Sequence, residues 1–280
     1  MDAYGSAADV LSFNPDPGSP DFNHWLATYL TNGSRPFFLL WEHMDSGFFP
    51  RSGPKDMGNV YNRKVFMDNL DFMFDNVIRR FSHRYVTING RAVIYLWASS
   101  AMTGDLAGLF DEVRKKYPVA FIGSNEDFNN IERIKAFDGF MEYSLAGFSA
   151  TGSYESMIVS YYNYAQYQRQ VLDAIYRETG KKMYLIPTFQ AAYDDTLVRW
   201  GNNPVYAKSK AEIVEHARLI KFGMTRWEIF DNIGPFVVFS ELPEGAAVIP
   251  SIRQPEKEGR YVGYGTDRIE IVAKFFGRRQ

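Results

Sequence analysis

The 280-residue chain contains no cysteine and only four histidines. The lack of cysteine excludes disulfides, thiolate nucleophiles, zinc–thiolate sites and iron–sulfur clusters. It does not identify the compartment, because an exported protein can also lack cysteine. The pattern places His83 and His216 in or beside helices, so a zinc hydrolase site would have too few ligands in suitable places. We therefore expect no metal site.

Long apolar runs and clusters of one charge are also missing. No apolar run approaches the roughly 20 residues that a membrane helix needs, and no basic segment followed by an apolar one opens the sequence. The chain has 31 basic and 33 acidic residues, a formal net charge of −2, without the basic clusters that bind polyanions. We expect neither a membrane nor a nucleic acid as partner, and from the sequence as written we expect an unexported, cytoplasmic protein.

Aromatic residues, by contrast, are abundant, at 16% of the chain. Core packing explains most of them. Flat rings also form the walls of sugar sites, because the apolar face of a pyranose packs on a ring.

Short β-rich apolar runs alternate with longer segments of helical period, which is typical of a parallel sheet built from βα units. Strands are predicted at residues 36–41, 92–97, 119–123, 139–143, 183–189 and 236–240, with an early candidate at 9–13. Helices are predicted at residues 65–81 and 267–276, and a capping box of Ser209 and Glu212 begins another, with Gly223 as its stop. The sequence is thus that of an α/β protein.

The connections differ in length on the two sides of the predicted strands. Segments that enter strands are short turns, whereas segments 42–62, 144–152 and 190–206, which leave strands, are long and polar. Long loops are usually functional, and a (β/α)8 TIM barrel builds its active site from the loops at the carboxyl ends of its strands. We therefore expect one barrel domain over residues 1–280, with a doubly wound open sheet as the alternative.

Polar and aromatic residues follow nearly every predicted strand. The candidates for substrate binding are Glu42, His43, Trp97, Asn125, Glu126, Glu142, Tyr143, Tyr193, Asp194 and Asp195, and the candidates for catalysis are Glu241 and Glu244. Carboxylates and rings with almost no lysine suit glycoside hydrolysis, which needs one protonated and one ionised carboxyl group and no cofactor. The alternative is that strand ends are polar only because they face solvent.

Other chemistries fit these strand ends less well. A Schiff-base aldolase needs a lysine there, and none of the predicted strands ends in one. No glycine-rich phosphate-binding loop follows the last strands either. These patterns favour a carbohydrate-active enzyme.

Three segments resemble glycoside hydrolase family 99, the endo-α-mannosidase and endo-mannanase barrels. Residues 236–251, FVVFSELPEGAAVIPS, resemble the E-W-x-E-G segment of that family and the I-E-P-like stretch that follows it. Residues 193–199, YDDTLVR, are similar to its G-x-D-D-T-x-x-R loop, and residues 88–97, INGRAVIYLW, are similar to the entry of a central strand.

The resemblance implies a retaining, endo-acting hydrolase of α-linked, mannose-type glycans or polysaccharides. Glu244 would be the general acid and base. Glu241 would deprotonate the sugar's own 2-hydroxyl, which attacks the anomeric carbon and gives an anhydro-sugar intermediate. From the residues alone, two carboxylates three positions apart in one loop can reach the same small site.

The sequence also departs from the family's pattern. Leu242 and Pro243 stand where the family usually has tryptophan and histidine, and the first barrel strand is expected to be missing or altered. A catalytically inactive or weakly active carbohydrate-binding barrel, associated with polysaccharide assembly, is therefore the alternative function. Because an open barrel exposes a strand edge, we also expect a homodimer that covers it.

Overall fold

The computed structural model describes residues 9–13, 28, 30–34, 36–41, 54–148, 153–193, 209–224, 236–237 and 264–276. The chain divides into two compact units, an N-terminal one up to Phe140 and a C-terminal one from Met141 onward. Both combine strands with helices, which confirms the α/β class, and parallel pairing confirms the predicted type of sheet. The closed barrel, the altered first strand and the single domain over residues 1–280 stay predictions.

The N-terminal unit is built on a parallel sheet. Its strands are β1 (Asp9–Phe13), β2 (Phe37–Trp41), β3 (Lys55–Asp56), β4 (Thr87–Ile88), β5 (Arg91–Leu96), β6 (Met102–Thr103), β7 (Val119–Gly123) and β8 (Gly139–Met141). The spatial order is β1-β2-β5-β7-β8, with parallel pairing along it. β4 forms an antiparallel hairpin with β5, and β3 pairs with β6. The hairpin turn uses Asn89 and Gly90, both with positive φ, which matches the twist of the strands.

Among the residues described after β2, three α-helices connect these strands. They are α1 (Val60–Met73, continued by a π-helical turn at Phe74–Ile78), α2 (Leu106–Lys116) and α3 (Ile131–Ala136). The helix predicted at 65–81 is present, but it begins earlier because the Asn59 side chain caps it, accepting from the Tyr61 amide at 2.9 Å. Its predicted apolar face is buried at Phe66, Leu70 and Met73.

Stacked rings and one acidic residue hold the core of the N-terminal unit. The rings of Phe110 and Phe121 stack with centroids 4.2 Å apart. Asp138, just before β8, accepts from Arg91 Nη1 at 2.6 Å, from Arg114 Nη2 at 2.9 Å and from the Phe121 amide at 2.9 Å. Because this carboxylate is buried, its two arginine partners are what make its burial tolerable.

The C-terminal unit contains α4 (Tyr154–Thr179), β9 (Tyr184–Ile186), β10 (Thr188–Phe189), α5 (Lys210–Arg218, continued by a π-helical turn at Leu219–Met224), β11 (Phe236–Val237) and α6 (Asp267–Phe276). β10 and β11 are parallel, with Thr188 opposite Phe236. The predicted capping box of Ser209 and Glu212 is confirmed, as are the bounds of the final helix.

The predicted strands are present, with small differences in their ends. The run at 183–189 forms two strands, because Pro187 between them has no amide hydrogen to donate to a ladder. Thr188, the next residue, donates its amide hydrogen to the Tyr161 hydroxyl oxygen at 2.6 Å. The run at 236–240 is described only at Phe236–Val237. In the described part of the chain, no helix combines the length and apolar character needed to cross a membrane.

Candidate functional site

In the N-terminal unit, the predicted site residues lie where parallel strands end. Trp97 directly follows β5, and its amide donates to the Trp41 carbonyl oxygen at the end of β2, at 3.1 Å. Asn125 and Glu126 follow β7, the next strand in the sheet. Parallel strands end at the same edge, so the sheet brings Trp97 and Asn125 to one edge, as the sequence predicted.

The backbone at this edge is unusual at two positions. Ala98 has φ of 47° and Asn125 has φ of 59°. The left-handed region is costly for a residue with a β-carbon, although asparagine tolerates it better than alanine. Ala98 directly follows Trp97, and Asn125 is itself a predicted sugar contact. The backbone strain therefore lies at or beside predicted sugar contacts.

Reciprocal hydrogen bonds connect the two loops that carry these residues. The Ser124 amide donates to Ser99 Oγ at 2.9 Å, and Ser99 Oγ donates to the Ser124 carbonyl oxygen at 3.0 Å. The Ala98 amide donates to Ser124 Oγ at 2.9 Å. The serine pair thereby fixes the loop after β5 against the loop after β7.

Glu126 is one predicted substrate contact whose carboxylate has a protein partner. Arg133, in α3, donates from Nη2 to Glu126 Oε1 at 2.9 Å and from Nε to Glu126 Oε2. The Glu126 side chain has no exposed surface. A fork-to-fork pair of this kind fixes both groups in orientation. Contact of Glu126 with a substrate stays a prediction.

In the C-terminal unit, Glu142 stands next to the end of β8 and is buried. Gln168 of α4 donates from Nε2 to Glu142 Oε1 at 3.3 Å. The Glu142 carbonyl oxygen accepts from Thr188 Oγ1, at the start of β10. Tyr143 follows and is half-buried. The structure thus places the Glu142 carboxylate at the end of a strand, as predicted, where Gln168 of α4 hydrogen-bonds to it.

Gln190, directly after β10, connects three parts of this unit. Its side-chain Oε1 accepts from the Leu145 amide at 2.6 Å and from Ser144 Oγ at 3.4 Å. Its carbonyl oxygen accepts from the Tyr154 hydroxyl at 3.1 Å. Its amide donates to His216 Nε2 at 3.4 Å. Gln190 therefore holds the loop after β8 beside the start of the loop after β10, which contains buried Tyr193.

Burial sets the protonation of the ionisable groups behind this edge. His216 is fully buried against Tyr154 and Phe189, and the lack of hydration lowers its pKa to about 3. Its imidazole is thus neutral near pH 7, with Nε2 accepting and the hydrogen on Nδ1. Burial also raises the pKa of Tyr161, whose hydroxyl oxygen accepts from Thr188. Both side chains act here as neutral hydrogen-bonding groups.

The remaining candidates are Glu42, His43, Asp194, Asp195, Glu241 and Glu244, all outside the described residues. The chain that leads to Glu241 leaves from β11, the parallel neighbour of β10. Among the described residues, no group of three histidine, aspartate or glutamate side chains has the arrangement of a metal site.

Gln168, Gln190 and His216 were not predicted from the sequence as site residues. Gln190 directly follows a strand, so the strand-end rule that selected Glu142 would also have selected it. Gln168 and His216 lie within helices, on faces that are otherwise apolar. The sequence around a lone polar residue on such a face does not identify its hydrogen-bond partner.

Comparison with known proteins places this fold among glycoside hydrolase structures. No protein-family model matches the sequence, and no curated protein matches it. The chain is similar to a structure of the GH99 endo-α-mannosidase from Bacteroides thetaiotaomicron, with a TM-score of 0.61 and 16% identity over 96% of this chain and 74% of that one.

Two further structures are similar. The same enzyme in complex with BIS-TRIS-propane gives a TM-score of 0.58 and 14% identity over 96% of this chain and 78% of that one. A glycoside hydrolase-like protein gives a TM-score of 0.63 and 15% identity over 97% of this chain and 81% of that one. At these identities the likeness concerns the fold, and at that level it confirms the resemblance to family 99.

Proposed function

We propose that this protein is a retaining, endo-acting glycoside hydrolase of α-linked, mannose-type glycans, with Glu244 as general acid and base and Glu241 as its partner. The fold is similar to that of GH99 endo-α-mannosidase structures. The order of the three sequence segments that resemble the family supports the same function. The reaction requires two carboxyl groups and no cofactor.

The parallel pairing of β10 with β11 is the observation that carries this proposal. Parallel strands end at the same edge of a sheet. Gln190 and Tyr193 follow β10, and Thr188 of β10 bonds to the carbonyl oxygen of Glu142. Only three residues separate Val237 from Glu241 in the sequence. Glu241 thus follows β11 in the sequence much as Glu142 follows β8, which supports its choice as a candidate strand-end carboxylate.

The other predicted contacts have chemistry that suits a glycan. In the N-terminal unit, the half-buried indole of Trp97 offers a flat face for a pyranose, and the exposed Asn125 amide has both a donor and an acceptor for hydroxyl groups. In the C-terminal unit, Glu142 and Tyr143 offer a carboxylate and a phenol. In each unit, such groups can position a sugar by stacking or hydrogen bonding.

Reducing-sugar release from α-mannans, α-glucans and β-glycans tests the proposal. The wild type should release sugar from an α-mannan, and Glu244→Gln should lower the rate by about 10² to 10⁴ because it removes the proton donor. Glu178→Gln, an exposed substitution on α4, is the matched control and should keep the wild-type rate. Equal release by the wild type and Glu244→Gln would refute the catalytic assignment.

A carbohydrate-binding protein is the second candidate function. Leu242 and Pro243 replace the tryptophan and histidine that the family usually has between its two glutamates. Loss of those side chains favours a site that binds a glycan in polysaccharide assembly and turns it over slowly or not at all. Binding of an α-mannan by calorimetry without reducing-sugar release would support this function over hydrolysis.

A further inference from the structure

Arg133 binds to residues of two loops at the carboxyl edge of the N-terminal sheet. Beside its two bonds to Glu126, it donates from Nη1 to the Met102 carbonyl oxygen at 2.7 Å and from Nη2 to the Ser99 carbonyl oxygen at 2.6 Å. Only 16% of its side chain is exposed. One guanidinium thus joins the loop after β5 to the loop after β7.

The two acceptors in the loop after β5 lie close to Trp97. Ser99–Ala101 is a single 3-10 turn, and Met102 begins β6, which pairs with β3. The guanidinium of Arg133 therefore binds the carbonyl oxygen of Ser99, at the start of the turn, and that of Met102, just beyond it. The left-handed residue Ala98 lies between Trp97 and this turn.

The Arg133 partner in the other loop lies beside Asn125. Glu126 is fully buried while Asn125, one residue earlier, is exposed and left-handed. A buried carboxylate held at both oxygens fixes the chain at residue 126. The adjacent amide at 125 is thereby held out to solvent in a conformation that the backbone does not favour on its own.

We propose that Arg133 and Glu126 are positioning residues, which hold the strained loops after β5 and β7 so that Trp97 and Asn125 present their side chains to a glycan. This rests on the proposed function, in which Trp97 and Asn125 contact the sugar. Glu126 then acts on binding through Arg133 and not by touching the substrate. The geometry requires arginine, because lysine offers a single charged centre and cannot hold a carboxylate at both oxygens and two carbonyl oxygens in one plane.

The test compares Arg133→Lys with Arg63→Lys in the full-length protein. Arg63 also pairs with a glutamate of the same unit, Glu112 at 2.7 Å, but on the exposed surface. Each variant is measured for α-mannan binding, for KM and kcat of reducing-sugar release, and for amide hydrogen exchange at residues 98–102 and 124–126. Glu126→Gln, alone and combined with Arg133→Lys, completes a double-mutant cycle.

We expect Arg133→Lys to keep its circular dichroism spectrum and to speed exchange in both loops. KM and the dissociation constant for α-mannan should rise by about tenfold, with kcat changing less than about twofold, since ground-state and transition-state binding weaken alike. The effects of Arg133→Lys and Glu126→Gln on binding should be less than additive in the double variant, because each change removes the same ion pair. Arg63→Lys should match the wild type in each measurement.

Three results would overturn the proposal. If Arg133→Lys keeps wild-type affinity while its loops exchange faster, the pair is only structural. If exchange in both loops is unchanged, Arg133 does not hold them. If the wild type itself binds no α-mannan, the proposed function fails, and the positioning role for a glycan fails with it. The first two results, by contrast, overturn the positioning role alone.

Discussion

At the residue scale, side chains in equivalent places in the sequence have different hydrogen-bond partners in the structure. Glu126 and Glu142 both follow strands, and both were predicted as substrate contacts. Glu126 is paired with Arg133, seven residues later, whereas Glu142 meets Gln168, twenty-six residues later. The strand-end rule predicts where a side chain lies, but its partners depend on helices packed behind the sheet, and sequence spacing does not reveal them.

His216 should make stability depend on pH in the acid range. Its pKa in the folded protein is about 3, well below the value of 6.5 expected when it is exposed. Below pH 6.5 the unfolded chain therefore binds a proton that the folded protein does not. Stability is fully present above pH 6.5 and falls as the pH is lowered toward 3, by about 2 kcal/mol between pH 7 and pH 5.

Urea unfolding at pH 5 and pH 7 measures this effect. His216→Gln keeps an acceptor near the Nε2 position but does not titrate, so the fall in stability between the two pH values should be about 2 kcal/mol smaller than in the wild type. His83→Gln, which changes an exposed histidine, serves as the control and should keep the wild-type fall. An equal fall in the wild type and His216→Gln would show that this histidine is not the source.

Asp138 should be among the most sensitive residues of the N-terminal unit. Asp138→Asn removes a buried charge that accepts from two arginines, and it should cost about 3–5 kcal/mol in the free energy of unfolding. Asp111→Asn removes another carboxylate that pairs with Arg114. That one is 70% exposed, and its loss should cost less than about 1 kcal/mol. Comparable losses in urea unfolding of the two variants would contradict this.

At the scale of elements, local sequence signals predicted what depends on neighbouring residues. The capping box at Ser209 and the final helix depend on residues within one or two turns, and both are confirmed. The run at 183–189 was predicted as one strand because its apolar pattern continues through Pro187. A pattern of apolar residues does not show that a ladder hydrogen bond is missing, and this is why the break was not predicted.

The capping box gives a prediction for a single element. Ser209→Ala removes the oxygen that accepts from the Glu212 amide at 3.3 Å. It should lower the free energy of unfolding by about 1 kcal/mol because the first turn of α5 loses its cap. Ser100→Ala, at an exposed serine outside the capping box, should stay within about 0.5 kcal/mol of the wild type. Thermal unfolding of both variants measures the difference.

At the scale of the whole molecule, the alternation of strands and helices predicted the α/β class, and the fold of glycoside hydrolase structures agrees with it. The chain's periodicity carries this information because each strand and helix shows its own repeat. Closure of the sheet into a barrel depends on the tilt and stagger of all strands together, which no local pattern encodes.

The homodimer expected from the sequence stays a prediction. Among the described strands, β1 stands at one end of the spatial order and pairs with β2 alone. If the barrel is open, a second copy could pair with the backbone groups of its edge strand. Light scattering during gel filtration should therefore give about twice the monomer mass of 32.2 kDa. A monomer mass across a range of protein concentrations would contradict the dimer.

The position of Asp138 matters for altering this protein in the laboratory. Asp138 lies just before β8 and its partner Arg91 at the start of β5, whereas Trp97 and Asn125 lie beyond the opposite ends of β5 and β7. The Asp138 contacts therefore lie at the amino end of the sheet, away from the two residues proposed to contact a glycan. Libraries that randomise Trp97 and Asn125 but spare Asp138 should therefore yield mostly folded variants, in which the proposed sugar contacts can be varied without loss of the fold.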